Sequence, residues 1–267
     1  MLPLQEGLVY GPVRSRRLGR SLGVNILPRR AKACSFNCTY CQYGWTRSPV
    51  QDGRAGAEPW PAAASIGRAV ALRLQRAVAG REPIDRVTLA GNGEPTLHPD
   101  FAGVVEAVRA ARDAHAPGLP LAVLSNSTTL DLPGVAEALD ALDERYMKLD
   151  AGDAAILRRV NGTTLSVDAI LEGLRRLRTL VIQSMFVRDR LGHIDNAGDI
   201  AVATWIGALL SIRPATVHVY SIDRAPAWPY LQAVPHARLE EIARRARAAG
   251  LTAEAYGSAV PQEAVAR

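Results

Sequence analysis

Between residues 21 and 256 the hydrophobic pattern changes period again and again. Short apolar, partly β-branched runs at 21–27, 84–90, 119–125, 145–149, 181–187 and 216–222 are each followed by helical spacing. The helical stretches are 65–79, 99–115, 133–142, the pair 154–160 and 166–177, 199–212 and 236–249. In the first of them Ile66, Val70, Leu74 and Val78 share one face, and Pro99 suits the first turn of the second. Strand then helix, six times over, predicts a parallel sheet with right-handed crossovers. The expected class is α/β: a partial (β/α)6 TIM-like barrel of parallel strands, with a short seventh strand at 251–256. One domain is expected over 1–267, with 1–20 as a basic N-terminal extension, 21–222 as the barrel core and 223–267 as a closing helix and strand. The Gly- and Pro-containing segment 49–61 reads as loop.

The chemistry-bearing residues fall at the ends of these strands. All three cysteines of the chain, Cys34, Cys38 and Cys41, follow the first strand with C-x3-C-x2-C spacing. Gly91, Asn92, Gly93, Glu94 and Pro95 follow the second, Ser125 and Asn126 end the third, Asp150 ends the fourth and Arg224 follows the sixth. That is the edge on which parallel α/β folds build their sites. Three thiolates in one loop converge on an inorganic centre, and no fourth cysteine exists to close the shell. A position left open suits a reactive site better than a structural one. A zinc site completed by a histidine is the rival reading, although no histidine lies near the cysteines.

Charge is concentrated in the same region. Residues 1–50 carry eight basic side chains against the single acid Glu6, a net of +7, so the remainder of the +6 chain nets −1. An anionic cofactor, a nucleic acid or an acidic electron donor would be drawn there. Genome-wide arginine bias is the plainer explanation, since only Lys32 and Lys148 among 32 basic residues are lysines. No run of about 18 apolar residues occurs, so no membrane span or membrane partner is expected. Clustered cysteines and a start unlike a signal peptide predict a cytoplasmic protein.

CSFNCTYC at the end of strand one and GNGEP at the end of strand two together resemble the radical S-adenosylmethionine (radical SAM) superfamily, with Tyr40 as the aromatic before the last cysteine. GPVRSRRLGRSLGVN, LSNST, KLDAGD and VYSIDRAP extend the resemblance over nearly the whole chain, toward the iron-sulfur oxidoreductase branch related to the wyosine-forming tRNA enzymes. The resemblance implies that Cys34, Cys38 and Cys41 hold a 4Fe-4S cluster whose fourth iron takes SAM. Reductive cleavage would give methionine and a 5′-deoxyadenosyl radical that abstracts hydrogen from a substrate. It also implies a one-electron donor such as a flavodoxin or ferredoxin.

Around SAM the resemblance places Tyr40 by the adenine, Gly91 to Pro95 at the amino group with Glu94 accepting from the ammonium, and Ser125 and Asn126 at the carboxylate or ribose. Asp150 would take a ribose hydroxyl, and Gln183 and Tyr220 would point into the barrel. Lys148 and Arg224 are candidates for an anionic group on the substrate, and His193, Asp195 and Asn196 lie in a loop able to reach the barrel mouth. Plainer roles stand beside each: a strand-to-helix turn for Gly91 to Pro95, loop or helix caps for Ser125, Asn126 and Asp150, packing for Gln183 and Tyr220, ion pairs for Lys148 and Arg224. A tRNA- or nucleotide-modifying radical SAM enzyme is the nearest alternative function, but wyosine-forming relatives carry cysteines for a second cluster and this chain has none to spare. A redox-sensing iron-sulfur protein that binds nucleic acid is an alternative of another class.

Overall fold

A computed structural model describes residues 1–47, 49–50 and 59–257. Most of the loop expected over 49–61, and the last ten residues of the expected closing segment, lie outside the described residues. Eight strands form one sheet: β1 (Val9–Ser15), β2 (Gly19–Asn25), β3 (Arg86–Ala90), β4 (Leu121–Ser125), β5 (Glu144–Lys148), β6 (Val181–Met185), β8 (Thr216–Tyr220) and β10 (Ala253–Tyr256), in that spatial order. From β2 to β10 every neighbour is parallel, as the alternating pattern predicts; β10 is the seventh strand, and the sheet does not close on itself.

Period-two alternation divides these strands between two environments. Val87, Leu89, Val123, Met147, Ile182, Val217 and Val219 are fully buried in the main core with side chains of α1 (Ala63–Ala79), α2 (Phe101–His115), α6 (Asp199–Ile212) and α7 (His236–Ala248), among them Val70, Leu74, Val104, Trp205 and Ile242. Many of the intervening positions are polar, Ala122, Leu124 and Val181 being exceptions. Ser21 Oγ and Thr88 Oγ1 are 2.7 Å apart, Arg86 meets Glu144 and the Tyr146 hydroxyl at 2.5 Å each, and Lys148 donates to the Tyr220 hydroxyl at 3.1 Å. The sheet therefore curls around a polar interior.

Two departures from the sequence pattern matter for the site. Residues 1–20 are not only an extension, because β1 pairs antiparallel with β2, the Tyr10 ring covering Gly23. The turn after β1 crosses the gap in the arc: Leu18 packs with Ala122 and Tyr146, and the Arg17 guanidinium lies 3.6 Å above the Tyr220 ring. Strand five also ends early. Phe186 N–H bonds to the Tyr220 carbonyl, and the chain then leaves the sheet as β7 (Val187–Asp189), paired antiparallel with β9 (Leu231–Ala233).

Candidate active site

The cysteine loop is pinned from both sides. Asn37 N–H and Thr39 N–H donate to the carbonyls of Asn161 and Val160 at the end of α4 (Ala154–Asn161), both at 2.9 Å. Ala33 N–H donates to the Asn92 carbonyl and Glu94 N–H to the Ala33 carbonyl, also at 2.9 Å, so loop and GNGEP segment form a local parallel bridge. Gly93 has φ 143°, and a Cβ there would stand 1.7 Å from the Ala33 carbonyl oxygen. Only glycine permits that approach.

Each sulfur has its own donor. Lys32 Nζ lies 3.1 Å from Cys41 Sγ and 2.7 Å from the Gly44 carbonyl; Asn161 Nδ2 lies 3.3 Å from Cys38 Sγ; Asn126 Nδ2 lies 3.7 Å from Cys34 Sγ. Burial pushes the Cys34 thiol well up and the Cys38 thiol up to about 11. A cationic metal centre reverses that preference, since thiolates are the ligands it binds. Among the described residues no three His, Cys, Asp or Glu side chains gather as ligands of one metal ion, the three cysteines included. Three separately supported sulfurs in one loop, two of them on the wall of a cavity, fit a polynuclear iron-sulfur centre.

The cavity beside the loop has a volume of about 620 Å³, within the range of small-molecule sites. Cys34, Cys41, Tyr40, Gly91, Gly93, Lys148, Tyr220 and Arg224 line it. Several other expected ligands do not. Asn92 is fully buried; its Oδ1 accepts from Gln5 N–H at 2.7 Å and its Nδ2 donates to the carbonyls of Gln5 and Pro28 at 3.0 Å. Glu94, 2% exposed, takes Thr96 N–H and Oγ1–H on one oxygen, at 3.1 and 2.6 Å, and Asn126 N–H on the other at 2.5 Å. Burial raises the Glu94 carboxyl above its ordinary value, opposed by those donors. The carboxylate expected to meet a ligand ammonium is thus turned into the fold, where it caps the 3₁₀ turn Pro95–Leu97.

Asp150 is also turned inward. It accepts from Lys148 Nζ at 3.1 Å, Met185 N–H at 2.8 Å, Asn161 Nδ2 at 2.7 Å and the Tyr40 hydroxyl, which leaves no free face for a ribose. Burial acts to lower the Lys148 ammonium, but the Asp150 charge outweighs it and holds the group above its usual range. Ser125 and Asn126 are buried at the site's edge; Ser125 Oγ accepts from Ser127 N–H, and Asn126 Oδ1 accepts from Thr128. Gln183 is buried beside His218 of β8, and its Nε2 has no partner among the described residues. Asn196 holds backbone groups of Asp150, Met185 and Val187, while His193 and Asp195 are exposed and do not line the cavity.

Three contributors escaped sequence reasoning. Lys32 carried a usable signal, being one of two lysines and two residues before Cys34. Asn161 carried none for Cys38, which lies 123 residues away, and Arg17 stood out only as one of the basic side chains of residues 1–50, its contact with Tyr220 being far off in sequence.

The sequence profile of the radical SAM superfamily matches residues 30–191, from the approach to the cysteine loop to the end of β7. The chain belongs to the radical SAM superfamily. It is therefore an enzyme, and membership brings an iron-sulfur cluster, SAM, an electron donor and a substrate. A UPF0026 protein of Helicobacter pylori is 32% identical over 222 residues, covering 81% of this chain and 67% of the relative. The UPF0026 protein of Methanocaldococcus jannaschii is 34% identical over 232 residues, 84% and 66% of the two chains. The chain thus spans about two thirds of the length of these relatives.

Solved radical SAM structures share the fold. TYW1 with a lysine-pyruvate adduct bound superposes with a TM-score of 0.60 at 18% identity, covering 86% of this chain and 73% of that one. A radical SAM methyltransferase from Sphaerobacter thermophilus gives 0.62 at 13% identity, over 92% and 68% of the two chains. No helix among the described residues is long and apolar enough to cross a membrane.

Proposed function

We propose that the protein is a radical SAM enzyme working with one 4Fe-4S cluster on Cys34, Cys38 and Cys41, and with SAM against the Gly91–Gly93 backbone. The observation that carries this reading is the open side of the cysteine loop. Three sulfurs each have their own donor, Cys34 and Cys41 line a cavity, and the adjoining wall includes the backbone of Gly91 and Gly93. When bound, the cluster and SAM supply reductive cleavage to methionine and a 5′-deoxyadenosyl radical, which abstracts hydrogen from the substrate.

The chain's own residues orient and insulate. Gly91 and Gly93 let this backbone pack against Asn25 and Ala33, where a Cβ would collide, and so hold it on the cavity wall. Glu94 is a positioning residue: it ties the end of β3 to Asn126, which in turn reaches Cys34 and Ser35. Tyr40 offers its ring to the cavity, with the Lys148 ammonium 4.8 Å from the ring centre. Asp150 neutralises Lys148 and fixes Tyr40 and Asn161 behind the loop. The three cysteines of the chain are all used in one loop, so a single cluster is proposed.

The test is product analysis. Anaerobically reconstituted protein given SAM and a strong reductant should release 5′-deoxyadenosine and methionine in equal amounts. A protein with a well-formed cluster that yields neither would sink the proposal.

A further inference from the structure

The cavity at the cysteine loop continues along the inside of the sheet to the turn between β1 and β2, and its charged lining is one-sided. Arg14, Arg16, Arg17, Lys32, Lys148 and Arg224 face it against the single acid Asp223. Part of this excess is settled within the chain. Arg16 pairs with Asp223, Lys148 with Asp150, and Lys32 is committed to Cys41 and Gly44. Nearby acids are spoken for as well: Asp85 by Arg20, Glu144 by Arg86.

Arg17 is different. Its guanidinium lies over Tyr220, and its Nη1 is buried with no hydrogen-bond partner among the described residues. A buried cationic N–H without an acceptor is costly to maintain. The Tyr220 face holds the planar group in place but offers it no acceptor, its hydroxyl already receiving Lys148 Nζ. Arg224, on the same cavity, meets the neutral Gln42 amide oxygen at 2.6 Å and no carboxylate among the described residues. The cofactors do not supply the missing charge. SAM carries one net positive charge and an oxidised 4Fe-4S cluster on three thiolates one net negative charge, so together they leave the excess as it was.

We infer that Arg17, seated on Tyr220, is the subsite for an anionic group of the substrate, a phosphate or a carboxylate. The inference rests on the radical SAM reading for its word substrate, and on the cavity alone for the anion. Arg17 reaches Tyr220, and Tyr220 reaches Lys148, whose ammonium stands over the Tyr40 ring of the cysteine loop. The anion would thus lie on the Tyr220 side of the cavity, with the rest of the substrate extending toward the cysteine loop.

The test is anaerobic calorimetric titration of the reconstituted protein with inorganic phosphate and with acetate, before and after saturation with SAM. Wild type, Arg17→Met, Arg17→Lys and the exposed control Arg109→Met are compared, their melting curves confirming that each is folded. One of the two anions should bind wild type and the control alike, and the tighter of them names the group. Arg17→Met should weaken it at least tenfold, and Arg17→Lys by less, since it restores charge without the planar face. Saturating SAM should leave the anion affinity within twofold. Equal affinity in wild type and Arg17→Met overturns the assignment, as does absence of binding by either anion, or competition between anion and SAM. Wild type that binds the anion but not SAM contradicts the radical SAM reading and not this one; binding of SAM with no anion does the reverse.

Discussion

Two loops meet at the candidate site, and they contribute in opposite ways. The loop after β2 presents side chains, with Cys34 and Cys41 lining the cavity and Cys38 held by Asn161. The loop after β3 presents backbone. Gly91 and Gly93 line the cavity, while the side chains of Asn92 and Glu94 turn away and bind their own chain. Adjacent motifs of similar length are therefore not interchangeable lists of ligands. In one the side chains face the cavity; in the other they buttress a backbone wall that packs closely on Asn25 and Ala33 because Gly91 and Gly93 carry no side chain.

Substitutions that break this contrast should differ in kind as well as size. Cys38→Ala should abolish the site-differentiated cluster, seen as loss of its visible absorption and of bound iron after anaerobic reconstitution. Full cluster content in that variant would show that Cys38 is not a ligand. Gly93→Ala forces a Cβ onto the Ala33 carbonyl at a φ that disfavours side chains, and should cost more than about 3 kcal/mol by chemical denaturation. Unchanged stability would show that the two loops do not approach as described.

Glu94→Ala sharpens the comparison further. It leaves the buried N–H groups of Thr96 and Asn126 without acceptors, so it should cost about 2–4 kcal/mol even without SAM. A Glu94→Ala protein of wild-type stability that has lost SAM affinity would instead make the carboxylate a direct ligand. The smallest effect is expected at Lys32. Its ammonium near Cys41 Sγ favours the more negative, reduced cluster, so Lys32→Met should lower the reduction potential by on the order of 50 mV. A potential that stays put or rises in a redox titration would remove Lys32 from the cluster's surroundings.

The fold was legible wherever local pattern decides structure. The helix expected at 199–212 coincides with α6, Asp199–Ile212, because a long apolar run follows the polar loop that ends at Gly198. β1 was not legible: VYGPVRS mixes Gly and Pro into an edge strand whose pairing depends on β2. β7 looked like the tail of strand five, since nothing local tells Val187 to leave β6 and pair with Ala233. The site follows the same division. The cysteines and glycines declared themselves by spacing, whereas the inward turn of Asn92 and Glu94 is set by Gln5 and Asn126, distant in sequence, and that of Asp150 by Met185 and Tyr40 as well as the nearer Lys148 and Asn161. A polar residue in a motif shows chemical capacity, not the direction its side chain takes.

The claim that three cysteines hold a cluster with one open iron beside a backbone wall is tested most directly by electron paramagnetic resonance of the reduced, reconstituted protein, recorded with and without SAM. SAM should change the g values of the cluster signal in wild type, and Cys38→Ala should show no such signal. A wild-type cluster signal that SAM leaves unaltered would contradict the claim.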